Sequence, residues 1–277
     1  MTIAPKNAYA LILGVSSGFG GAAAIQLAKA GFNIFGVHLD RAATMPIANQ
    51  TKADIEATGA KAIFFNVNAA DEGKRKEVMD GIKQEFASLQ GEEKPGIYVL
   101  MHSLAFGSLK ELVAENPADA LTQKQIEMTL DVMANSLIYW TQEVTAARLW
   151  GKYGRIYAMT SGGGERVLPM YGAVSAAKAA LESYIRQLAL EMAPFNVTAN
   201  SILAGVTDTA ALRKIPGSDV LIGNAKMRNP LHRLTTPEDV AKAITILSHE
   251  FAQWINGDTI HADGGENSVD VTWWKES

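Results

Sequence analysis

The chain predicts a single α/β domain, a doubly wound parallel sheet of seven strands with helices on both faces. Three observations carry that expectation. Apolar runs of strand length alternate with longer segments of helical period, the pattern of parallel βαβ units. A glycine-rich turn, Gly14-Val15-Ser16-Ser17-Gly18-Phe19-Gly20, separates the first apolar run from the first helical one. The 277 residues suffice for one large core and contain no linker, repeat or low-complexity tract that would mark a second domain.

Each element follows from its local pattern. Tyr9–Leu13 is a continuous apolar run, and Gly18–Ala30 is a helical segment with Gly31 just past its end, where helices commonly stop. Asn33–His38 is the second strand; Met45–Thr58 is the second helix, closed by Gly59. Ala62–Val67, Lys74–Leu89 and Ile97–His102 continue the alternation, with Gly91–Gly96 as a polar loop. Thr122–Leu149 reads as one long helix, followed by the strand Arg155–Thr160. Ala173–Met192 is a helix stopped by Pro194 before the strand Asn196–Ile202. Asp219–Met227, Pro237–Ser248 and the strand Thr259–Ala262 complete the set.

Two stretches break the alternation. Residues 103–121 carry Gly107 and Pro117; residues 204–230 mix a short helix with Gly217, Gly223 and Pro230. Both leave the carboxyl ends of strands, the edge where open α/β sheets bind ligands. They are the expected substrate walls, and the segment from about 204 to 230 is the expected substrate loop or lid.

Composition excludes several classes. Net charge is −4, which favours neither nucleic acid nor an anionic membrane surface. The absence of cysteine removes disulfides, thiolate catalysis and cysteine metal sites. No apolar stretch approaches the roughly 20 residues of a membrane-spanning helix. Ala8–Val15 lacks the flanks of a signal peptide, so the cytoplasm is the expected compartment. No metal-ligand spacing such as HExxH occurs, and no metal is expected.

Gly14-x3-Gly18-x-Gly20, between strand and helix, suits a pyrophosphate. Glycine lets the backbone turn sharply and come close, and the helix N-terminus favours the negative charge. Ser16, Ser17 and Phe19 fill the same turn. Asp40 and Arg41 end the second strand near the expected adenosine ribose. A carboxylate there accepts from a 2′-hydroxyl, whereas a guanidinium pairs with a 2′-phosphate, so NADH and NADPH both stay open. The register of the strand places Asp40 past the usual ribose contact and leans toward NADPH. Asn66 and Val67 end the third strand, where an amide would meet the adenine edge. Thr209 would reach the pyrophosphate or the nicotinamide amide, or cap a helix, or do both.

Tyr171 and Lys178 stand seven positions apart, ten and seventeen residues after Ser161. On a helix that puts both side chains on nearly one face, about 10 Å apart along the axis. Tyr153, Tyr157 and Tyr184 read as core or interface aromatics. His102 ends a buried strand and reads as a hydrogen-bonded structural histidine; His232 and His249 read as surface residues. Phe106, Met170, Leu203 and Met227 would line a substrate channel or belong to the core.

These motifs together resemble the short-chain dehydrogenase/reductases over essentially the full length. The matching residues are the Gly14/Gly18/Gly20 turn, the Ser161 to Lys178 separation, Ala204-Gly205-x3-Thr209 in place of Pro-Gly-x3-Thr, and Asp263-Gly264-Gly265. The resemblance implies a Rossmann-type fold and an NAD(P)H-dependent oxidoreductase. Within it, the chain is most similar to the enoyl-acyl-carrier-protein reductases. Ordinary members place the catalytic Tyr four residues before the Lys, where this chain has Val174. Tyr171-x6-Lys178 is the enoyl-reductase spacing. His102-Ser103-Leu104-Ala105-Phe106 resembles that group's His-Ser-(Ile/Leu)-x-Phe, and Gly205-x3-Thr209-x-Ala211-Leu212 with Pro230 and Arg233 resembles its substrate-loop region.

The resemblance implies Ser161, Tyr171 and Lys178 as catalytic residues. It adds Ser103, Lys178, Gly205 and Thr209 to the cofactor contacts, an acyl thioester on acyl carrier protein as substrate, fatty acid synthesis as the setting, and a homotetramer. There are departures. Many enoyl reductases carry a second Tyr near Ser161, whereas the Ser matches carbonyl reductases. The relay Asn of carbonyl reductases falls by count at Met133, with Asn135 two residues away.

The chemistry fits the spacing. In ketone reduction the hydride lands on the carbonyl carbon, so the Tyr must touch an adjacent oxygen. In enoyl reduction it lands on the β-carbon, and charge develops further away, on the thioester oxygen. Moving Tyr from i−4 to i−7 adds about 4.5 Å along a helix. Lys178 is expected to hold the nicotinamide ribose and to lower the pKa of Tyr171. A carbonyl reductase using Tyr171 from an unusual place, or a non-catalytic nucleotide-binding scaffold, are the alternatives. The long helices, with Ile138, Tyr139, Trp140 and Trp150 on one and Leu181, Tyr184, Leu188 and Met192 on the other, are expected to bury apolar faces against a twofold mate. Trp273 and Trp274 are expected to cross into a neighbour.

Overall fold

The computed structural model describes residues 3–89 and 93–269; the tail tryptophans lie outside this range. Seven strands form one parallel sheet in the order β3-β2-β1-β4-β5-β6-β7, as expected of a doubly wound domain. The strands are β1 Ala8–Leu13, β2 Asn33–His38, β3 Ala62–Asn66, β4 Gly96–His102, β5 Trp150–Ser161, β6 Val197–Ala204 and β7 Thr259–Ala262. The order reverses between β1 and β4. Sheet position and periodicity agree because both faces are covered: every residue of β1 is buried, so the run is apolar throughout rather than alternating.

The helices divide between the faces. Helices α1 Gly18–Lys29, α2 Met45–Glu56 and α8 Pro237–Leu247 pack a core with Ile12, Phe32, Tyr157 and Ile202. On the other face α3 Glu72–Ser88, α5 Ser136–Ala146 and α6 Gly172–Glu191 pack with Tyr9, Phe35, Leu100 and Ile156. Helices α4 Gln123–Leu130 and α7 Ser218–Arg228 lie in the segments leaving β4 and β6. No helix among the described residues is long and apolar enough to cross a membrane.

The long helix expected over Thr122–Leu149 is observed from Gln123 to Ala146, with a π-helical turn inside it. It is α4, a π-helical turn at Asp131–Asn135, then α5. The Thr122–Gln125 capping box starts α4. The Ser136 hydroxyl donates to Val132 O at 2.8 Å and meets His102 Nε2 at 2.9 Å, so the strand end is pinned to the π turn. At the far end Arg148 takes φ 55°, which stops the helix, and Trp150 belongs to β5. Periodicity alone does not identify a π turn, which occurs as a single-turn bulge within an otherwise α-helical run. Asn196 likewise stands before β6 in the left-handed region rather than inside the strand.

Candidate active site

Gly14 closes β1 with φ 89°, and a Cβ there would come within 2.5 Å of Ser103 O. A Cβ on Gly20 would strike Gly14 O, whereas Gly18, at φ 56°, faces open space. Two of the glycines therefore let the β1 turn, the start of α1 and Ser103 approach, and the third clears the N-terminus of α1. That cradle at a helix N-terminus fits a dinucleotide pyrophosphate. Ser16 and Ser17 form the turn, Gly18, Phe19 and Gly20 open α1 with Phe19 packed against the core, and Ser103 N is tied to Leu13 O at 2.9 Å.

The end of β2 departs from a simple acid–base choice. Asp40 Oδ2 lies 2.9 Å from His38 Nδ1, and the Asp40 side chain is only 12% exposed. Burial pushes this carboxyl up, but hydrogen bonds from Thr44, Ser16 and His38 outweigh it and hold it below the usual range. Arg41 is exposed. Asn66 is committed to the Asp40 backbone, donating from Nδ2 to Asp40 O and accepting from Asp40 N, both at 2.9 Å. Its amide braces the β2 turn instead of standing open to a base; Val67 N bonds His38 O beside it. Sequence reasoning passed over His38, although residues i and i+2 of an extended strand end face the same side.

Ser161 ends β5 and Tyr171 caps the N-terminus of α6. The Ser161 hydroxyl accepts from Gly163 N at 3.0 Å and lies 3.4 Å from the Tyr171 hydroxyl. A Cβ on Gly163 would meet the Tyr171 ring at 2.5 Å, so the bare backbone of this turn lets the ring in. Lys178, two turns along α6, is 5% exposed and donates from Nζ to Met159 O at 2.7 Å. Burial pushes its ammonium down to about 8, partly offset by Glu182. Burial also pushes the Tyr171 hydroxyl up, and Ser161 pulls it back in part. The expected lowering of Tyr171 by Lys178 is therefore not what the structure gives. Tyr171 is a neutral hydrogen-bond donor at neutral pH, suited to an oxygen that gains charge.

Val174, at the i−4 position, is 4% exposed and supplies no proton. A Cβ on Gly107 would fall within 2.7 Å of Val174 Cγ2 and 2.9 Å of Met133 Sδ, which leaves no room there for a phenol. Asn135 Oδ1 accepts from the Tyr184 hydroxyl at 2.9 Å. His102 is fully buried; its Nε2 is bonded to Ser136, but Nδ1 has no partner among the described residues, so it is only half satisfied. Burial and the nearby Lys178 push it down to about 3, which keeps the imidazole neutral beside a buried ammonium.

Gly205 is buried, and Thr209 Oγ1 accepts from Leu212 N at 3.2 Å, capping a short 3₁₀ turn at Leu212–Lys214. Phe106, Met170 and Met227 are exposed at 58%, 40% and 61%, whereas Leu203 is core. Tyr157 is core as expected, and Tyr153 is exposed. Among the described residues no cluster of His, Asp or Glu could hold a metal.

A family model for enoyl-(acyl carrier protein) reductases matches residues 14–267. The chain belongs to this family. It is an oxidoreductase of the short-chain dehydrogenase/reductase type. The NADH-dependent enoyl-acyl-carrier-protein reductase of Aquifex aeolicus is 30% identical over 62% of this chain and 63% of that relative. The 1-cyclohexenylcarbonyl-CoA reductase of Streptomyces collinus is 25% identical over 96% of this chain and 89% of that relative. Among solved structures, a short-chain dehydrogenase from Burkholderia cenocepacia in complex with NADP superposes with a TM-score of 0.79, at 27% identity, covering 95% of this chain and 98% of that one.

Proposed function

We propose that the protein reduces the carbon–carbon double bond of a 2-enoyl thioester with NADPH, the thioester being carried on acyl carrier protein in fatty acid synthesis. The observation that carries this reading is the position of the one suitable phenol. Tyr171 stands at i−7 from Lys178, 3.4 Å from the Ser161 hydroxyl, while the i−4 position is a buried valine.

When bound, the reduced nicotinamide supplies the hydride. The chain's own residues act on the other end of the conjugated system. Tyr171 donates to the thioester oxygen as charge develops there, Ser161 donates beside it, and a proton from solvent at the α-carbon completes the reduction. A hydrogen bond that strengthens as charge appears is worth more in the transition state than in the ground state. Lys178, with an Nζ proton already on Met159 O, has two more to offer a ribose. The glycine turn carries the pyrophosphate and Arg41 the 2′-phosphate, with Asp40 drawn back toward His38.

Ser161 is the feature that favours ketone reduction instead. Against it, the relay position holds Met133, and Asn135 is occupied by Tyr184. The deciding experiment mixes the protein with NADPH or NADH and crotonyl thioesters of acyl carrier protein and coenzyme A, against a panel of ketones. Consumption of reduced cofactor with the enoyl substrates is expected. Turnover of ketones alone would overturn the reading.

A further inference from the structure

We propose that Glu266 is the positioning residue of the substrate loop, its one buried carboxylate fastening both ends of that loop to the turn that also braces the Ser161 loop. This rests on reading the segment from about 204 to 230 as the wall of the acyl site.

Glu266 is 1% exposed. One oxygen, Oε2, accepts from Val206 N at 2.9 Å, where the chain leaves β6. The other, Oε1, accepts from Arg228 Nη2 at 3.2 Å, where α7 ends. The two contacts lie 22 residues apart in sequence, at the beginning and end of the loop. A Cβ on Gly205 would come within 2.8 Å of Oε2, so the carboxylate sits hard against the chain where the loop begins. Next to Arg228, Asn229 donates from Nδ2 to Asp263 O at 3.0 Å. Both ends of the loop therefore meet one tight turn, Asp263–Asn267. That turn is held by the Asp263 carboxylate, which accepts from Gly265 N and Asn267 N. From there Asn267 O accepts from Arg166 at 3.3 Å, and Asn267 Oδ1 stands against Gly162, on the loop that follows Ser161.

Between its two ends the loop is held at few places, Ile215 packing against the core among them. Ala225 is the one buried residue of α7. Arg213 is paired with Asp208 and Asp219, which belong to the same segment. A segment with few buried contacts of its own takes its position from its ends. Removing a buried acceptor also leaves its donors unsatisfied, which costs more than the bond is worth when made. Glu266 should therefore set where the wall stands, and through it the binding of the acyl group, without touching substrate itself.

The test uses Glu266→Gln, Arg228→Gln and the double variant. Glutamine keeps an acceptor for Val206 N but turns an amide NH2 toward the guanidinium, which releases only the α7 end. In Glu266→Gln, amides of residues 218–228 should exchange about tenfold faster, with β4 and β5 unchanged. KM for the crotonyl thioester should rise about tenfold with a smaller change in kcat, and NADPH affinity should hold. The double variant restores a neutral pair and should recover part of the protection. Unchanged exchange at 218–228 in both single variants would overturn the proposal, as would equal loss of protection in β4 and β5. The exchange measurement needs no substrate, so an absence of enoyl turnover would reject the proposed function while leaving the anchoring result readable.

Discussion

The Tyr171 hydroxyl lies 3.4 Å from the Ser161 hydroxyl, and the same Ser161 oxygen accepts from Gly163 N. That backbone donor leaves the serine proton free to point away from Gly163, toward the phenol or a substrate oxygen. The two hydroxyls then address one small region at the carboxyl end of β5. Tyr171→Phe should cut turnover of the enoyl substrate by about 10²-fold or more. Cofactor affinity should stay close to wild type, because the phenol holds no part of the cofactor in this reading. Stopped-flow turnover with a parallel cofactor titration checks both. Near-normal turnover would remove Tyr171 from the mechanism.

Lys178 gives a prediction with a sign. Burial pushes it down to about 8, below the 10.4 of a free lysine. Cofactor affinity should fall as pH rises through about 8, since the neutral amine loses its attraction for the ribose oxygens. The stability effect runs the other way. Between about pH 8 and 10 the unfolded chain holds this proton and the fold does not, so the contribution of this group to stability rises with pH across that window. Loss of affinity without loss of melting temperature is the expected signature. Lys178→Arg should abolish the alkaline limb in titrations of NADPH binding, because the guanidinium stays charged. An unchanged limb would assign it to another group.

The parts of this molecule legible in the sequence are those set by short range or by period. The sheet, the glycine turn and the Ser161, Tyr171 and Lys178 set depend on apolar runs and fixed offsets. The π turn at Asp131–Asn135 was not legible, because no residue pattern marks it and the His102–Ser136 contact beside it spans 34 residues. Glu266 was equally silent: its partner Val206 lies 60 residues away, and a lone acid after two glycines has no pattern. Asn66 stood at the right place, but its amide is occupied by the backbone of Asp40. Tyr171 was expected to be lowered by Lys178; burial of the hydroxyl dominates instead.

Cofactor choice should turn on His38 as well as on Arg41. With Asp40 held by His38 at 2.9 Å, the 2′-phosphate contact proposed above falls to the exposed Arg41. Arg41→Ala should weaken NADPH by about tenfold while changing NADH little, as expected for loss of a charge-assisted phosphate contact. His38→Ala removes one of the three groups that hold the Asp40 carboxylate, the others being Thr44 and Ser16, and should move preference toward NADH. Calorimetric titration of both cofactors against wild type and the two variants measures this. Tighter binding of NADH by the wild type would reverse the assignment.

Assembly follows from the groove between α5 and α6. It encloses about 380 Å³ and is lined by Ile138, Gln142, Tyr184, Leu188 and Phe195 among others. Part of the apolar face expected to meet a mate is already used within the protomer: Trp140 is fully buried and donates from Nε1 to Ala69 O at 2.9 Å. What remains open is narrower, and Phe195, 48% exposed, is the exposed large apolar side chain that lines it. A twofold mate would cover the groove with the same residues from the other copy, as an isologous interface requires. Light scattering at micromolar concentration should return a multiple of 29.7 kDa, with four copies expected. Phe195→Glu would place two like charges across the axis, and a buried unpaired charge costs several kcal/mol. It should lower the assembly state while leaving the protomer's circular dichroism unchanged, since Phe195 belongs to neither core. A wild-type monomer would overturn the prediction.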